Sequence, residues 1–294
     1  MKHILIAGGD KRNVYLANSL SKDGFKVKVI GFDDNIYFNP GVEKVRCAEE
    51  HGSGCALLIF GIPASFDGVK LWTPLSDEEV MLEEIIRRIP DDCIITGGRI
   101  NLCPDSFGDT EPTDYTTRCD FAWLNAVPTA EGAIAAVMSD CNKTLADSLC
   151  AITGFGRCSE VLAQKLKAFG CSVHIYARST KDLSHAAALG FKAYHLNYMK
   201  KVIGMYDIIF NSVPFGIFDA EHIENIKENC IFADIASAPG GIAENTPKDK
   251  INYKFLPGLP GAYSPESAAE IIKKVIMTLI QEKGKDTRQW LLKD

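Results

Sequence analysis

The sequence predicts an α/β protein with two doubly wound parallel-sheet domains joined by crossing helices. Strand-like and helix-like patterns alternate over residues 1–125, and they alternate again over residues 149–256. The apolar run at 149–153 ends in a glycine turn that passes directly into a helical pattern. Because strands that alternate with helices form parallel sheets with helices on both faces, each half of the chain is expected to form its own α/β domain.

Four strands are expected in the first domain, at residues 3–8, 26–32, 56–61 and 93–96. One helix is expected to begin near Asn13, and a second is expected from Asp77 to about Arg88, where Pro90 ends it. Residues 104–117 are rich in Pro, Asp, Gly and Thr, which predicts a loop.

The second domain is expected to contain strands at 149–153, 172–177, 207–211, 231–234 and 253–256 and helices at 157–169 and 181–189. Pro128 is expected in the first turn of a helix that crosses between the domains. A long helix from Pro265 to Glu282 has apolar residues at helical spacing and is free to return to the first domain.

The predicted domain boundaries follow from these elements. Residues 1–127 form an N-terminal α/β domain on the substrate side, completed by a C-terminal helix within 264–294. Residues 128–263 form the linker helix and a Rossmann domain that binds the cofactor. Two such domains are expected to make a cleft, and ligands of doubly wound sheets bind at the carboxyl ends of the strands.

The glycine turn after the 149–153 strand is typical of a dinucleotide-binding site. Gly154 and Gly156 would let the backbone approach a pyrophosphate, and the start of the next helix would stabilise its negative charge. The third small position is Ser159, which still allows the helix to pack closely on the strand. A purely structural turn is the alternative interpretation.

The strand at 172–177 ends in Arg178, Ser179 and Thr180, and Arg178 lies 24 residues beyond Gly154. No carboxylate is present there to bind a ribose 2′-hydroxyl, whereas a cation with two hydroxyls suits a 2′-phosphate. The sequence therefore predicts NADP as the cofactor. The residues expected to bind it are Gly154, Phe155, Gly156, Arg157, Cys158, Ser159, Arg178, Ser179, Thr180, Ser212, Pro214 and Asp234.

Three of these residues carry specific expectations. Ser212 and Pro214 follow the strand at 207–211, where loops commonly cover a nicotinamide. Asp234 ends an apolar strand, where a carboxylate either orients the nicotinamide amide or caps the next turn. The Gly8–Gly9 turn is likewise either an anion site with Arg12 or a tight strand-to-helix turn.

Composition limits the remaining function classes. The 294 residues carry a net charge of −6 and are 46% hydrophobic, as is usual for a soluble globular protein. No basic block favours nucleic acid, and no long uncharged apolar run favours a membrane span. The ten cysteines are scattered, and no export signal is apparent, so free thiols and a cytoplasmic location are expected.

Residue clusters for other chemistries are missing from the sequence. No paired histidines or Cys/His clusters indicate a metal, and no serine has the context of a hydrolase nucleophile. None of the six histidines falls in a segment expected to face the cleft, although a hydroxy-acid dehydrogenase needs a base there.

Several motifs together resemble the A subunit of dipicolinate synthase, a family of spore-forming bacteria whose members act with a flavoprotein-like B subunit. The motifs occur in the family's order and cover nearly the whole chain. They are Gly8-Gly9-Asp10 with Arg12, Gly31-Phe32-Asp33, the Pro-Thr-Ala-Glu-Gly run at 128–132, Gly154-Phe155-Gly156-Arg157, Ala177-Arg178-Ser179, the run 233–241 and the Pro-Gly-Leu-Pro-Gly run at 257–261. Cys158 and Ser159 depart from the Thr-Gly that the family often has.

The resemblance implies oxidation of a dihydrodipicolinate or 4-hydroxy-tetrahydrodipicolinate precursor to dipicolinate during sporulation, with NADP as hydride acceptor and the B subunit of dipicolinate synthase as partner. Aromatisation supplies driving force, so the site mainly positions a small dicarboxylate. Glu131 is the best candidate proton acceptor, or else a structural partner of a neighbouring loop. Carboxylate-binding candidates are Gly9 in its glycine turn, Arg12, Ser65, Arg99 and Thr129.

Two other functions stay open from the sequence. One is another NADP-dependent dehydrogenase of shikimate or 2-hydroxy-acid type, which would need a Lys–Asp or His–carboxylate pair in the cleft. The other is a non-catalytic NADP-binding regulatory module. The sequence also leaves open whether the chain forms a homo-oligomer and whether it is active without the B subunit.

Overall fold

The computed structural model describes residues 2–46, 54–100, 107, 111–285 and 290–291. The chain divides into two compact units. Unit 1 comprises Met1–Leu124 with Pro265–Asp294, and unit 2 comprises Asn125–Ser264. Each unit is built around one six-stranded sheet with helices packed against it.

The sheet of unit 1 is entirely parallel. Its elements in chain order are β1 (His3–Ala7), α1 (Lys11–Lys22), β2 (Val27–Ile30), β3 (Val42–Lys44), β4 (Cys55–Phe60), α2 (Leu82–Ile86), β5 (Ile94–Gly97) and β6 (Thr113–Asp114). A 3₁₀ turn at Tyr115–Thr117 follows β6, and α3 (Cys119–Met138) begins in this unit. The strand order is β3-β2-β1-β4-β5-β6.

Unit 2 repeats this architecture. Its elements are β7 (Leu149–Thr153), α4 (Arg157–Ala168), β8 (Ser172–Ala177), α5 (Thr180–Ala188), β9 (Lys192–His195), α6 (Met199–Val202), β10 (Ile208–Asn211), α7 (Ala220–Asn225), β11 (Ile231–Asp234), β12 (Asn252–Phe255) and α8 (Leu259–Tyr263). The strand order is β12-β11-β10-β7-β8-β9, and all pairs are parallel.

The two sheets share one topology. Numbered within its own unit, each set of six strands lies in the order 3-2-1-4-5-6. This is the doubly wound order, in which the chain moves outward from the first strand in one direction and then in the other. The reversal lies between β1 and β4 in unit 1 and between β7 and β10 in unit 2. The crevice outside the carboxyl ends of these strand pairs is therefore where each sheet can bind a ligand.

The C-terminal helix belongs to unit 1. α9 (Pro265–Glu282) has the bounds that its apolar spacing predicts. Its residues Ile272, Val275, Ile276 and Leu279 are buried in the same core as α1, β1 and β2. The helix thus closes one face of the first sheet, although it follows the second domain in sequence.

The prediction that Pro128 opens a helix is wrong. α3 begins at Cys119 and contains Pro128 in its interior. A proline inside a helix removes one backbone hydrogen bond, but the apolar residues on both sides pack well enough to keep the helix continuous. Within the described residues, α3 is also the one helix long and apolar enough to cross a membrane, although half of that stretch is buried in the protein.

The predicted helix from 77 to 88 is shorter than expected, because α2 covers only Leu82–Ile86. The chain before it is extended instead, since Leu71 N–H donates to Val80 O at 2.8 Å and Lys70 pairs with Met81. The predicted 104–117 loop contains β6 and the 3₁₀ turn within its described part. The strands β3 and β9 were not predicted, because short strands at sheet edges have no continuous apolar run.

Candidate functional site

Gly154 has a backbone conformation that favours glycine. It follows β7 with a φ of +81° and donates its N–H to Tyr176 O at 2.8 Å. A Cβ added at this position would lie 2.6 Å from Ser212 Oγ. Both the left-handed conformation and the close contact therefore require a residue without a side chain.

Gly156 differs from Gly154 because the space around it is open. It precedes α4 with a φ of −85°, and no side chain caps the helix there. A Cβ added to Gly156 would meet no atom within 4 Å. Because the first backbone N–H groups of a helix have no intrahelical partner, this terminus can accept an anion. Arg157 is exposed beside it. The open space and free N–H groups fit a pyrophosphate.

Hydrogen bonds and ring contacts fix the remainder of the phosphate loop, defined as residues 154–159. Ser159 is fully buried, and its Oγ donates to Ser212 Oγ at 2.7 Å. Ser212 Oγ in turn donates to Thr153 O at 2.8 Å. Phe155 is buried with its ring edge-on to Phe191. Ser159 therefore links α4 to the loop after β10 at the position where a third glycine is usual.

Cys158 lies in the first turn of α4 and is partly exposed. Burial raises the pKa of its thiol, and a hydrogen bond with Thr129 partly offsets that rise. Thr129 also donates its Oγ1 to Asn125 O at 2.7 Å within α3. The structure thus places Thr129, predicted to bind substrate, beside the phosphate loop of unit 2.

Arg178, Ser179 and Thr180 are exposed where β8 ends. Ser179 caps α5, with its Oγ accepting from Asp182 N at 3.4 Å. In the part of the chain that the structure describes, no carboxylate is paired with Arg178. Its guanidinium is therefore available to an anionic group at the carboxyl edge of the second sheet.

Asp234 is fully buried, and its carboxylate is surrounded by donors. It accepts from Asn211 Nδ2 at 2.8 Å, Gly241 N at 2.7 Å, Tyr253 OH at 3.1 Å and Ala236 N at 3.2 Å. Burial and the nearby carboxylate raise the pKa of the Tyr253 phenol. Of the two interpretations of Asp234, the structure favours the cap of the following turn over contact with a nicotinamide.

The loop after β10 is anchored through Asn211. Its Nδ2 donates to Val213 O at 3.0 Å, and its Oδ1 accepts from Thr153 Oγ1 at 2.6 Å. Pro214 and Phe215 extend from this anchor and are exposed. Asn211 was not among the predicted site residues, although a polar residue at the end of an apolar strand is the signal that could have found it.

Glu131 is exposed and forms an ion pair with Lys165 Nζ at 2.8 Å. Both residues lie on helix surfaces in unit 2. Of the two interpretations of Glu131, the structure favours the structural partner, although the residue that it pairs with lies on α4 and not in a neighbouring loop.

In unit 1, the expected backbone donors of the Gly8–Gly9 turn are already used. Gly8 N–H donates to Ile30 O at 2.9 Å, and Gly9 N–H donates to Trp72 O at 2.8 Å. Gly9 has a φ of +94°, and a Cβ there would lie 2.4 Å from Asn13 Oδ1. The prediction that this backbone binds a carboxylate is therefore wrong, because both N–H groups are already bound to carbonyls of other segments of unit 1.

Arg12 is buried and forms a two-point ion pair with Asp10. Its Nε donates to Asp10 Oδ1 at 2.9 Å and its Nη2 donates to Asp10 Oδ2 at 3.0 Å. Nη2 also donates to Ile62 O at 3.2 Å. The expected two-point contact with a substrate carboxylate is thus occupied by Asp10, and only Nη1 is left for a ligand.

Ser65 also differs from its predicted role. Ser65 is fully buried, donates to Asp67 Oδ1 at 2.9 Å and accepts from Gly68 N at 3.0 Å. Hydrogen bonds from the backbone N–H groups of Lys70 and Val69, and then from the Ser65 hydroxyl, lower the pKa of Asp67 to about 2. Ser65 therefore stabilises a turn. Arg99 is exposed, has a φ of +52° and lies at the carboxyl end of β5.

Within the described residues, no group of three or more His, Cys, Asp or Glu side chains is arranged to hold a metal ion. The groups that the site offers to a ligand are backbone N–H groups, arginines and hydroxyls.

Two family models each match one part of the chain. Residues 3–103 match the model for the N-terminal domain of the dipicolinate synthase A subunit, and residues 129–243 match that for the NAD-binding domain of D-isomer specific 2-hydroxyacid dehydrogenases. The chain is 27% identical to the dipicolinate synthase A subunit of Bacillus subtilis (strain 168) over 284 residues, which covers 95% of the chain and 96% of the relative.

Two solved structures are similar over nearly their whole length. That of the dipicolinate synthase A subunit from Bacillus halodurans has a TM-score of 0.84 and 28% identity, covering 95% of this chain and 97% of that one. The Bacillus subtilis structure has a TM-score of 0.83 and 26% identity, covering 96% of each. These matches confirm the predicted fold class: two parallel-sheet α/β domains, of which the second is a Rossmann domain for a nicotinamide cofactor.

Proposed function

We propose a function for this chain from the premise that it is a relative of the dipicolinate synthase A subunit over 95% of its length. It is an NADP-dependent oxidoreductase that forms dipicolinate during sporulation by transferring a hydride to NADP and releasing a proton, either from dihydrodipicolinate or, with additional loss of water, from 4-hydroxy-tetrahydrodipicolinate. It acts in the cytoplasm together with a B subunit. The observation that carries the oxidoreductase assignment is the uncapped helix terminus at Gly156, open to an anion, within a domain of dehydrogenase type.

The phosphate loop would hold the pyrophosphate of the cofactor. The first N–H groups of α4 face the open space at Gly156, and Arg157 adds a positive charge beside them. Ser159 and Ser212 keep this loop in place through their hydrogen bond. When bound, the nicotinamide group supplies a hydride acceptor.

Arg178 supports NADP over NAD. It is exposed at the end of β8, next to the hydroxyls of Ser179 and Thr180. In Rossmann domains this is the position that contacts the 2′ substituent of the adenosine ribose. A guanidinium binds a phosphate there, whereas NAD specificity would require an acidic side chain.

The proposed reaction does not need a strongly basic side chain. Gain of an aromatic ring favours loss of a ring proton, so the residues of the chain mainly position the substrate. Glu131 would not carry this step, because it is exposed and paired with Lys165.

The carboxyl end of the first sheet would bind the dicarboxylate through cationic side chains. We expect Arg12→Ala and Arg99→Ala to weaken dipicolinate binding, with NADP binding retained because the phosphate loop lies in unit 2. Loss of one charged hydrogen bond should cost about 1.5–3 kcal/mol. Calorimetry with dipicolinate on the NADP-loaded chain measures the loss.

The two variants need different controls. Arg12→Ala leaves Asp10 without its ion pair, so circular dichroism must first confirm that this variant is folded. Arg99 is exposed, which makes Arg99→Ala the simpler test. Full dipicolinate affinity in both folded variants would remove these arginines from the site.

Turnover tests the function itself. The purified chain is mixed with NADP and a freshly generated precursor, with and without the B subunit, while reduced nicotinamide and dipicolinate are measured. Formation of both products, dependent on NADP, is the expected result. Turnover of a shikimate-type or 2-hydroxy-acid substrate instead would indicate another dehydrogenase. Tight NADP binding without turnover in any combination would indicate a regulatory module.

A further inference from the structure

The carboxyl end of the first sheet contains a buried amide nitrogen without a hydrogen-bond partner. Asn13 lies in the first turn of α1, directly after the Gly8–Gly9 turn, and is 1% exposed. Within the described residues, its Nδ2 has no partner. Since β1 and β4 are neighbours where the strand order reverses, Asn13 lies at the ligand-binding edge that this topology creates.

A buried donor without a partner is unfavourable, because its lost contacts with water are not replaced. Such groups are rare in folded proteins, and each one calls for a cause. A leucine has the same branched shape and the same number of non-hydrogen side-chain atoms as asparagine, and it would avoid the penalty among the apolar neighbours Leu16 and Ala17, which are fully buried on the same helix. An amide at this position therefore points to an acceptor that the ligand-free chain does not supply.

The residue beside Asn13 indicates the charge of that acceptor. Arg12 is 6% exposed, and its Nη1 makes no hydrogen bond in the part of the chain described by the structure. Asp10 already balances the charge of Arg12. A guanidinium N–H forms its strong hydrogen bonds with carboxylates and phosphates, and beside the Arg12–Asp10 pair one carboxylate adds less uncompensated negative charge than a doubly charged phosphate.

The Gly8–Gly9 turn lies over the amide. A Cβ on Gly9 would be 2.4 Å from Asn13 Oδ1, so the turn packs directly against this side chain. The covering atoms belong to a backbone without side chains. The Gly9 backbone is therefore in direct contact with the Asn13 amide.

We propose that Asn13 Nδ2, beside Arg12, donates a hydrogen bond to one carboxylate of the dicarboxylate substrate. Asn13 is then a specificity-determining residue of unit 1. This inference rests on the proposed function and adds to it a residue that neither the sequence motifs nor the family resemblance assigned.

The test compares Asn13→Leu and Asn13→Asp with the wild-type chain, using dipicolinate as the probe on NADP-loaded protein. We expect Asn13→Leu to raise the dipicolinate Kd at least ten-fold while the ligand-free melting temperature stays the same or rises. Asn13→Asp replaces the N–H donor by a carboxylate that repels the carboxylate of dipicolinate, so it should raise the dipicolinate Kd further. This pattern differs from that of a structural amide, whose loss would lower the melting temperature and leave the Kd unchanged.

Asn18→Ala is the matched control on the same helix. Asn18 Oδ1 accepts from Asn39 N at 2.8 Å, so this variant should lose stability and keep its dipicolinate affinity. Unchanged affinity in either folded Asn13 variant would mean that the amide binds an internal water only, and would overturn the inference while the proposed function stands. Wild-type protein that binds NADP but no dipicolinate would count against both.

Discussion

Replacing Gly156 by valine is expected to abolish NADP binding while the fold stays intact. The backbone at Gly156 has a φ of −85° and a ψ of −176°, an extended conformation that valine adopts readily. Among the described residues, no atom lies within 4 Å of a Cβ added there, so the Cβ of a valine fits without a clash. The branched side chain would instead fill the space in front of the first N–H groups of α4, where the pyrophosphate is expected.

The expected loss of affinity is at least about 100-fold, or about 2.7 kcal/mol. Fluorescence titration with NADPH measures binding, and circular dichroism with a melting curve measures the fold. Gly154→Ala is the informative contrast, because its φ of +81° and the 2.6 Å approach to Ser212 Oγ predict a loss of stability. A folded Gly156→Val chain with wild-type affinity would show that the phosphate loop binds no pyrophosphate.

The elements that could be predicted from the sequence are those determined by local patterns. α9 has the predicted bounds because its apolar residues recur at helical spacing. β7 and β8 were predicted because a central strand of a parallel sheet is buried on both faces and forms an apolar run. The edge strands β3 and β9 lack that signal, and Pro128 gave the wrong start for α3.

Some donors of unit 1 differ from their predicted roles because they are used by contacts distant in sequence. Gly9 N–H donates to Trp72 O, and the guanidinium of Arg12 donates to Ile62 O as well as to Asp10. No local pattern shows that a carbonyl some fifty or sixty residues away will reach a glycine turn. Asn13 was missed for the same reason, since its lack of a partner is a property of the folded chain.

Replacing Arg178 by aspartate is expected to change the cofactor preference from NADP towards NAD. The variant loses a charge-assisted contact with the 2′-phosphate, worth about 1.5–3 kcal/mol. It gains a carboxylate that repels this phosphate and can accept hydrogen bonds from the ribose hydroxyls of NAD. Because Arg178 is exposed and unpaired within the described residues, its replacement should leave the stability of the chain unchanged.

Titration of both cofactors against the wild type and Arg178→Asp decides the assignment. Lys192→Asp is the matched control, because it makes the same charge change on an exposed residue at the start of β9, where the strand enters the sheet. We expect Lys192→Asp to keep the wild-type preference, so that a general effect of charge is separated from a contact at the end of β8. The ratio of the two dissociation constants is the decisive quantity, since a nonspecific loss would weaken both cofactors equally. An unchanged ratio in Arg178→Asp would show that another residue recognises the 2′ position.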